Sequence, residues 1–202
     1  MIKDRRQPKT QSRTLRTRAK LIATAEALVT ADGLAALRVE QVVQGAGVAK
    51  GTFFAHFPDK DALMERLIAA RLDAALDRLD PAQRPESPEA LVEALAPFIK
   101  GATGERYVLD LVMRRAMVPP RADPGPIARA LARLDGVLVQ WFGGFFGAPP
   151  FRTDLPPEML AEGVRALLMQ AMVLKFCSRH GNSSAKARLK GYVDAFLMPP
   201  NA

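Results

Sequence analysis

Three side chains that can donate hydrogen bonds, Lys50, Thr52 and His56, stand close together in one short segment of the chain. Phe53 and Phe57 are four residues apart in the same segment and can anchor one side of a helix. The three donors are then left to face outward. A short helix with a rigid apolar back and a polar tip is what the major groove of DNA admits. The residues therefore indicate contact with base edges or phosphates.

A short helix that precedes the donors in the sequence, and a tight turn after it, must position them. Apolar residues recur at helical spacing just before them, at Val39, Val42, Val43 and Ala46. Gly47 follows, where the end of a helix favours a residue that accepts a positive φ. Val48 fills the angle between the two helices, and the second helix is predicted from about Ala49 to His56. The pattern is that of a helix-turn-helix.

A longer helix is predicted upstream, from Thr14 to Ala31. Leu21 or Ile22, Ala25, and Leu28 with Val29 give it one apolar face, and Asp32-Gly33 ends it. Residues 1–13 are basic and lack periodicity, so we predict a disordered arm. Such an arm adds phosphate contacts, lies in a minor groove or serves solubility alone.

The positive charge is concentrated at the N-terminal end. Residues 1–60 carry eleven basic and five acidic side chains, a net charge of +6 out of the total of +8. A basic first part joined to a nearly neutral body is typical of a polyanion-binding domain attached to a domain of another kind. The alternative is a basic protein whose charge serves solubility alone.

Enzyme chemistry finds no support in the sequence. No nucleophile, acid and base form a recognisable constellation, and no glycine loop could cradle a phosphate. Cys177 and His180 are three residues apart and could both bind a metal, but two further ligands are missing nearby. A redox role for Cys177 is possible, and a packed cysteine is the simpler interpretation. We predict no enzyme activity, no cofactor and no metal site.

The segment from about Thr14 to Leu67 resembles the tetracycline-repressor (TetR) family of bacterial transcriptional regulators. The resemblance rests on Ala46-Gly47-Val48, Lys50-Gly51-Thr52, the Phe54-Ala55-His56-Phe57 element, and Lys60 after Pro58-Asp59. Two positions depart from the family pattern: Ala49 replaces a helix-capping serine, and Phe54 replaces a tyrosine. Phe54 can therefore contact DNA only through apolar atoms, such as a thymine methyl group.

The resemblance implies a set of DNA-binding residues. Lys50, Thr52 and Phe53 are expected at or near base edges, and Arg38, His56 and Lys60 at phosphates. The full set is Thr14, Arg16, Arg38, Val39, Gln41, Ala49, Lys50, Gly51, Thr52, Phe53, Phe54, His56 and Lys60.

The rest of the chain also has helical periodicity, with no alternating strand pattern. We predict an all-α protein of about nine helices, with a DNA-binding domain over 14–59 and an effector-binding and dimerisation domain over 60–202. A fourth helix is expected from Asp59, as its N-cap, to about Leu79. Helices near 157–181 and 184–197 are expected to pair with a second copy, because the first of them has two apolar faces.

In the resembled family the body holds a small effector molecule. The large, soft or flat side chains that could line such a cavity are Met113, Met117, Trp141, Phe142, Phe145, Met169 and Met172. The simpler interpretation of each is an ordinary core residue. Arg114 and Arg115 could meet an anionic group or could face solvent.

Together these features predict a homodimeric regulator, most simply a repressor that a small apolar effector releases from a palindromic operator. It would work in the bacterial cytoplasm, since the longest apolar stretch, 136–151, is too short for a membrane span and a single cysteine suits a reducing compartment. Two alternatives stay open: a small-molecule-binding protein or enzyme with a basic head, and a non-specific DNA binder.

Overall fold

The structure is a computed structural model. It describes residues 7–80, 82–117, 124–143, 151–177 and 183–198, with side chains from residue 12 onward. These residues form nine α-helices and no strand, which confirms the predicted all-α class. The chain divides into two compact units, residues 1–67 and 68–202. No described helix combines the length and the apolar composition that a membrane crossing requires.

The first unit contains α1 (Gln7–Asp32), α2 (Val39–Ala46), α3 (Lys50–His56) and the first part of α4 (Lys60–Leu76). α2 spans the apolar positions predicted for it, from Val39 to Ala46, and α3 begins one residue after the predicted start. α4 ends at Leu76 instead of Leu79, since the chain tightens there into turns of the i→i+3 type.

The start of α1 differs from the prediction. The helix begins at Gln7 and not at Thr14, so residues 7–13 are helical where a disordered arm was expected. Pro8 lies in the first turn, where a missing backbone N–H removes no intrahelical hydrogen bond. Residues 1–6 lie outside the described residues.

The core of the first unit forms where α1 packs on α2. Leu21, Ala25 and Val29 of α1 are buried, which confirms the predicted apolar face. The two helices come very close at Gly45, where an added Cβ would lie 2.7 Å from Cγ2 of Thr24. This glycine is therefore required by space, although it lies in a helix, where glycine is otherwise unfavourable.

The second unit consists of the rest of α4 together with α5 (Pro88–Thr103), α6 (Arg106–Ala116), α7 (Gly125–Phe142), α8 (Pro157–Leu174) and α9 (Ala185–Leu197). Ser87 begins α5, because its hydroxyl oxygen accepts a hydrogen bond from the backbone N–H of Ala90 at 3.1 Å. Ser184 begins α9 in the same way and confirms the predicted start of that helix.

α8 has one side buried in the second unit and one side exposed. Leu160, Val164 and Leu168 are buried, and the helix packs on α7 and α9. On the opposite side Met159 and Val173 remain 50% and 40% exposed. Met172, which was predicted to line an effector cavity, is fully buried.

Candidate nucleic-acid interface

The turn between α2 and α3 is fixed by local hydrogen bonds. Gly47 has φ 59° and ψ 43°, a left-handed conformation that favours glycine. Its backbone N–H donates to the Gln44 carbonyl, and the N–H of Val48 donates to the Val43 carbonyl, each at 3.0 Å. This pair of bonds is a Schellman motif, which satisfies carbonyls at the end of a helix. The predicted turn is confirmed, and it sets the direction in which α3 leaves α2.

The back of α3 is held by aromatic packing. Phe53 and Phe57 are 0% and 1% exposed, with ring centroids 5.6 Å apart. Phe53 therefore cannot contact a base edge, and its predicted place among the DNA-binding residues is wrong. Its other predicted role, as an anchor of the helix together with Phe57 four residues later, agrees with this burial. Phe54, which meets Phe53 edge to face at 5.3 Å, is the exposed ring of this helix.

Arg18 joins α1 to the end of α3. Its Nη1 donates to the His56 carbonyl at 2.8 Å, and its guanidinium carbon lies 4.5 Å from the centre of the Phe57 ring. The bond satisfies a carbonyl that the end of a helix leaves without a partner, and the ring adds a cation–π contact. Nothing in the sequence pattern could have identified this role, because the partners are 38 residues apart.

Lys50, the expected base-contacting residue, is paired with an acid of α2. Its Nζ donates to Oε1 of Glu40 at 2.6 Å. The hydrogen bond from Lys50, together with its charge, holds the pKa of the Glu40 carboxyl below its ordinary value. Both side chains remain exposed, so the pair can open towards a ligand.

Gln41, which was predicted to contact DNA, also stabilises the start of α2. Its amide oxygen accepts a hydrogen bond from the backbone N–H of Arg38 at 3.1 Å, at the start of α2. The arginine side chain has no acceptor atom and cannot cap a backbone N–H of α2 in return. The bond to Gln41 is therefore only one half of a capping box. The side chain of Arg38 stays exposed and can reach a phosphate.

Asp59 confirms the predicted start of α4. Its Oδ1 accepts a hydrogen bond from the backbone N–H of Ala62 at 2.7 Å. Lys60 follows as the first residue of the helix and is half-buried.

The other predicted DNA-binding residues lie at the surface of the first unit. The exposed ones are Thr14, Arg16, Arg38, Gln41, Ala49, Lys50, Gly51 and Phe54; the half-buried ones are Val39, Thr52, His56 and Lys60. Gly51 faces open space, since an added Cβ would meet no heavy atom within 4 Å.

The predicted ligand-binding residues of the second unit are mostly packed. Trp141, Phe142 and Met172 are buried, and Nε1 of Trp141 donates to the Asp80 carbonyl at 3.2 Å. Met113 and Met169 are half-buried, Met117 is 78% exposed, and Phe145 lies outside the described residues.

In the described part of the chain, no three His, Cys, Asp or Glu side chains are grouped so that they could hold a metal ion.

A comparison with known families finds a match within the first unit. Residues 21–67 match the model of bacterial regulatory proteins of the tetR family. No curated protein matches the chain. The matched segment contains the buried face of α1, the α2–α3 pair and the beginning of α4.

Solved structures have the same fold along nearly the whole chain. FadR of Thermus thermophilus, a TetR-family transcriptional repressor solved with lauroyl-CoA, is 19% identical with a TM-score of 0.60, over 88% of this chain and 92% of its own. A protein with unknown function from Rhodococcus sp. RHA1 is 20% identical with a TM-score of 0.58, over 89% and 92%. TylP, a TetR regulator of Streptomyces fradiae, is 15% identical with a TM-score of 0.51, over 93% and 89%. At these identities the likeness concerns the fold.

Proposed function

We propose that the chain regulates transcription by binding double-stranded DNA, because residues 21–67 match the model of the tetR family of bacterial regulatory proteins and the described helices have the TetR-like fold. The observation that carries the proposal is α3. One side of this helix is anchored by buried Phe53 and Phe57, while Lys50, Gly51 and Phe54 stand exposed on it. The net charge of +6 in residues 1–60 draws this unit to phosphates.

The contacts divide into two classes. Lys50, Gly51 and Phe54 lie at base edges, with Phe54 against an apolar group such as a thymine methyl. Arg16, Arg38 and Lys60 hold phosphates and fix the register of α3 in the groove. Thr14, His56 and Thr52 stand beside these groups and add donors.

The active species is a homodimer. Met159 and Val173 expose apolar atoms along the outer side of α8, and a second copy of α8 and α9 can cover them. A two-fold dimer presents two α3 helices to successive major grooves about 34 Å apart. The operator is then a near-palindrome.

A small molecule releases the repressor from its operator in the bacterial cytoplasm. The helical second unit is the place for it, and the complex of the T. thermophilus relative with lauroyl-CoA supports a ligand with a long apolar part. A coupling of about 1–3 kcal/mol between the two sites is enough for regulation.

Footprinting on the DNA that flanks the chain's own gene tests the proposal. We expect protection of a near-palindromic site, with random DNA of equal length bound far more weakly. Equal affinity for both DNAs would support a non-specific binder instead. Turnover of a small molecule without any effect on DNA affinity would support the enzyme alternative.

A further inference from the structure

A groove opens in the second unit between the end of α4, the C-terminal half of α5 and the start of α6. It encloses 430 Å³, which is within the range of small-molecule sites in proteins. Its lining combines three basic side chains, Arg71, Arg78 and Lys100, with apolar surface.

The three cations of the groove form no ion pair with any residue that the structure describes. All three side chains are exposed, and among the described residues none of these side chains has a hydrogen bond or an ion pair. Asp73 and Asp77, which are close to Arg71 and Arg78 in the sequence, are already bonded to Arg133, at 3.4 and 2.6 Å. These acids, Asp77 foremost, raise the pKa of Arg133.

Only one acid lines the groove among the described residues, so this part of the lining carries three positive charges and one negative charge. That acid is Glu105, the N-cap residue of α6. The N-terminus of α6 therefore lies beside the groove, and the positive end of a helix dipole also favours an anion. The excess of basic side chains and the N-terminal end of α6 thus both favour an anion in the groove.

The apolar part of the lining lies beside the charges. Ala74 and Pro97 contribute small, non-polar surfaces from α4 and α5, and Val108 does so from α6. Gly101 lies between them, and even a Cβ there would be in ordinary contact, 3.5 Å from Cδ2 of Leu72. An alkyl chain can therefore lie along the groove while a polar head meets the cations.

We propose that this groove binds a small amphipathic anion, with its carboxylate or phosphate between Arg71, Arg78 and Lys100 and its alkyl part against Ala74, Pro97 and Val108. The site is distinct from the described members of the predicted apolar set, none of which lines the groove. Binding itself does not depend on the proposed regulatory function. Only the further expectation that the ligand changes operator affinity depends on it.

Calorimetric titration of the full chain with octanoate tests the proposal, with octylammonium and octan-1-ol as cationic and neutral counterparts. We expect octanoate to bind, octan-1-ol to bind more weakly, and octylammonium not to bind. Raising the salt concentration should weaken octanoate binding, because the contacts are exposed ion pairs.

Variants locate the site. Arg71→Gln, Arg78→Gln and Lys100→Gln should each weaken octanoate binding by about fivefold. Ala74→Phe should block it by filling the groove. Arg84→Gln removes an exposed, unpaired arginine outside the groove and should leave the affinity unchanged.

Unchanged octanoate affinity in the triple Gln variant, with helix content equal to wild type, would overturn the proposal. Equal binding of octylammonium would also overturn it. Octanoate binding without any change in operator affinity would leave the site in place and contradict only its regulatory use.

Discussion

The ammonium nitrogen of Lys50 lies 2.6 Å from Oε1 of Glu40, so the longest basic side chain of α3 is held by an acid of α2. Both partners are more than half exposed, at 58% and 66%. DNA can therefore separate the two side chains, but only where a DNA acceptor takes the place of the Glu40 carboxylate as the partner of Lys50. The pair weakens attraction to phosphates in general and favours sites where Lys50 meets well-placed base acceptors.

Removing the acid should make DNA binding tighter and less selective. In Glu40→Gln, Lys50 is free to bind any phosphate, so affinity for random DNA should rise and its salt slope should increase by about one. Fluorescence anisotropy with operator and random DNA at several salt concentrations measures both. Glu26→Gln, an exposed acid of α1, is the matched control. A Glu40→Gln protein that discriminates as well as wild type would show that the pair has no part in selectivity.

Arg18 and Arg16 should separate stability from DNA binding. Arg18→Ala removes the bond to the His56 carbonyl and the contact with the Phe57 ring, and should destabilise the first unit by roughly 1–2 kcal/mol. Arg16→Ala should leave stability unchanged and reduce the salt slope of DNA binding. Urea unfolding and anisotropy titrations distinguish the two. Equal stability of both variants would contradict the role given to Arg18.

Two glycines should respond in opposite ways to alanine. Gly45→Ala should cost about 1–3 kcal/mol, because the new methyl group would lie 2.7 Å from Cγ2 of Thr24. Gly51→Ala should stabilise α3 by up to about 1 kcal/mol, since the site is open and alanine favours helix. Thermal unfolding measures both changes. Adding Thr24→Ser to Gly45→Ala should restore much of the loss; no rescue would mean that the contact is not its cause.

The outer side of α8 should control the oligomeric state. Val173→Glu places a charge among apolar atoms that a second copy would cover, and should shift a dimer towards monomer in sedimentation velocity. The helical circular dichroism should be preserved, because Val173 is 40% exposed in the single chain. Glu162→Gln is the conservative control on the same helix. A Val173→Glu protein that stays dimeric would place the interface elsewhere.

Asp135 should make stability depend on pH. Burial raises the pKa of its carboxyl above the ordinary 3.8, against the attraction of Arg165 and with the repulsion of Glu162. The folded chain thus holds this proton more tightly than the unfolded chain. Its contribution to stability must therefore fall as pH rises from 3.8 through the folded pKa.

Urea unfolding of wild type and Asp135→Asn between about pH 3.5 and pH 7 measures this contribution. The asparagine variant should lose less stability over that range. In Glu162→Gln the pKa of Asp135, followed by NMR, should move down. An unchanged value would exclude Glu162 as a cause.

Local signals were enough to predict the helix-turn-helix. The spacing of Val39, Val42 and Ala46, and the need for a positive φ at Gly47, act within a few residues, so the sequence reveals them. Asp59 was predicted as a helix cap for the same reason.

Features that depend on tertiary contacts were missed or misassigned. Phe53 has the right spacing both for an anchor and for a DNA contact, and only its burial decides between them. The bond from Arg18 to the His56 carbonyl joins distant parts of the chain. The groove of Arg71, Arg78 and Lys100 likewise exists only when α4, α5 and α6 have packed, and their sequence spacing carries no sign of it.

The close approach of Gly45 to Thr24 also bears on how related sequences diverge. Bulk gained at one of these two positions has to be given up at the other if α1 and α2 keep their separation. Homologues with alanine at position 45 should therefore tend to carry serine, alanine or glycine at position 24, and such paired replacements would record the helix crossing in the evolutionary history of the family.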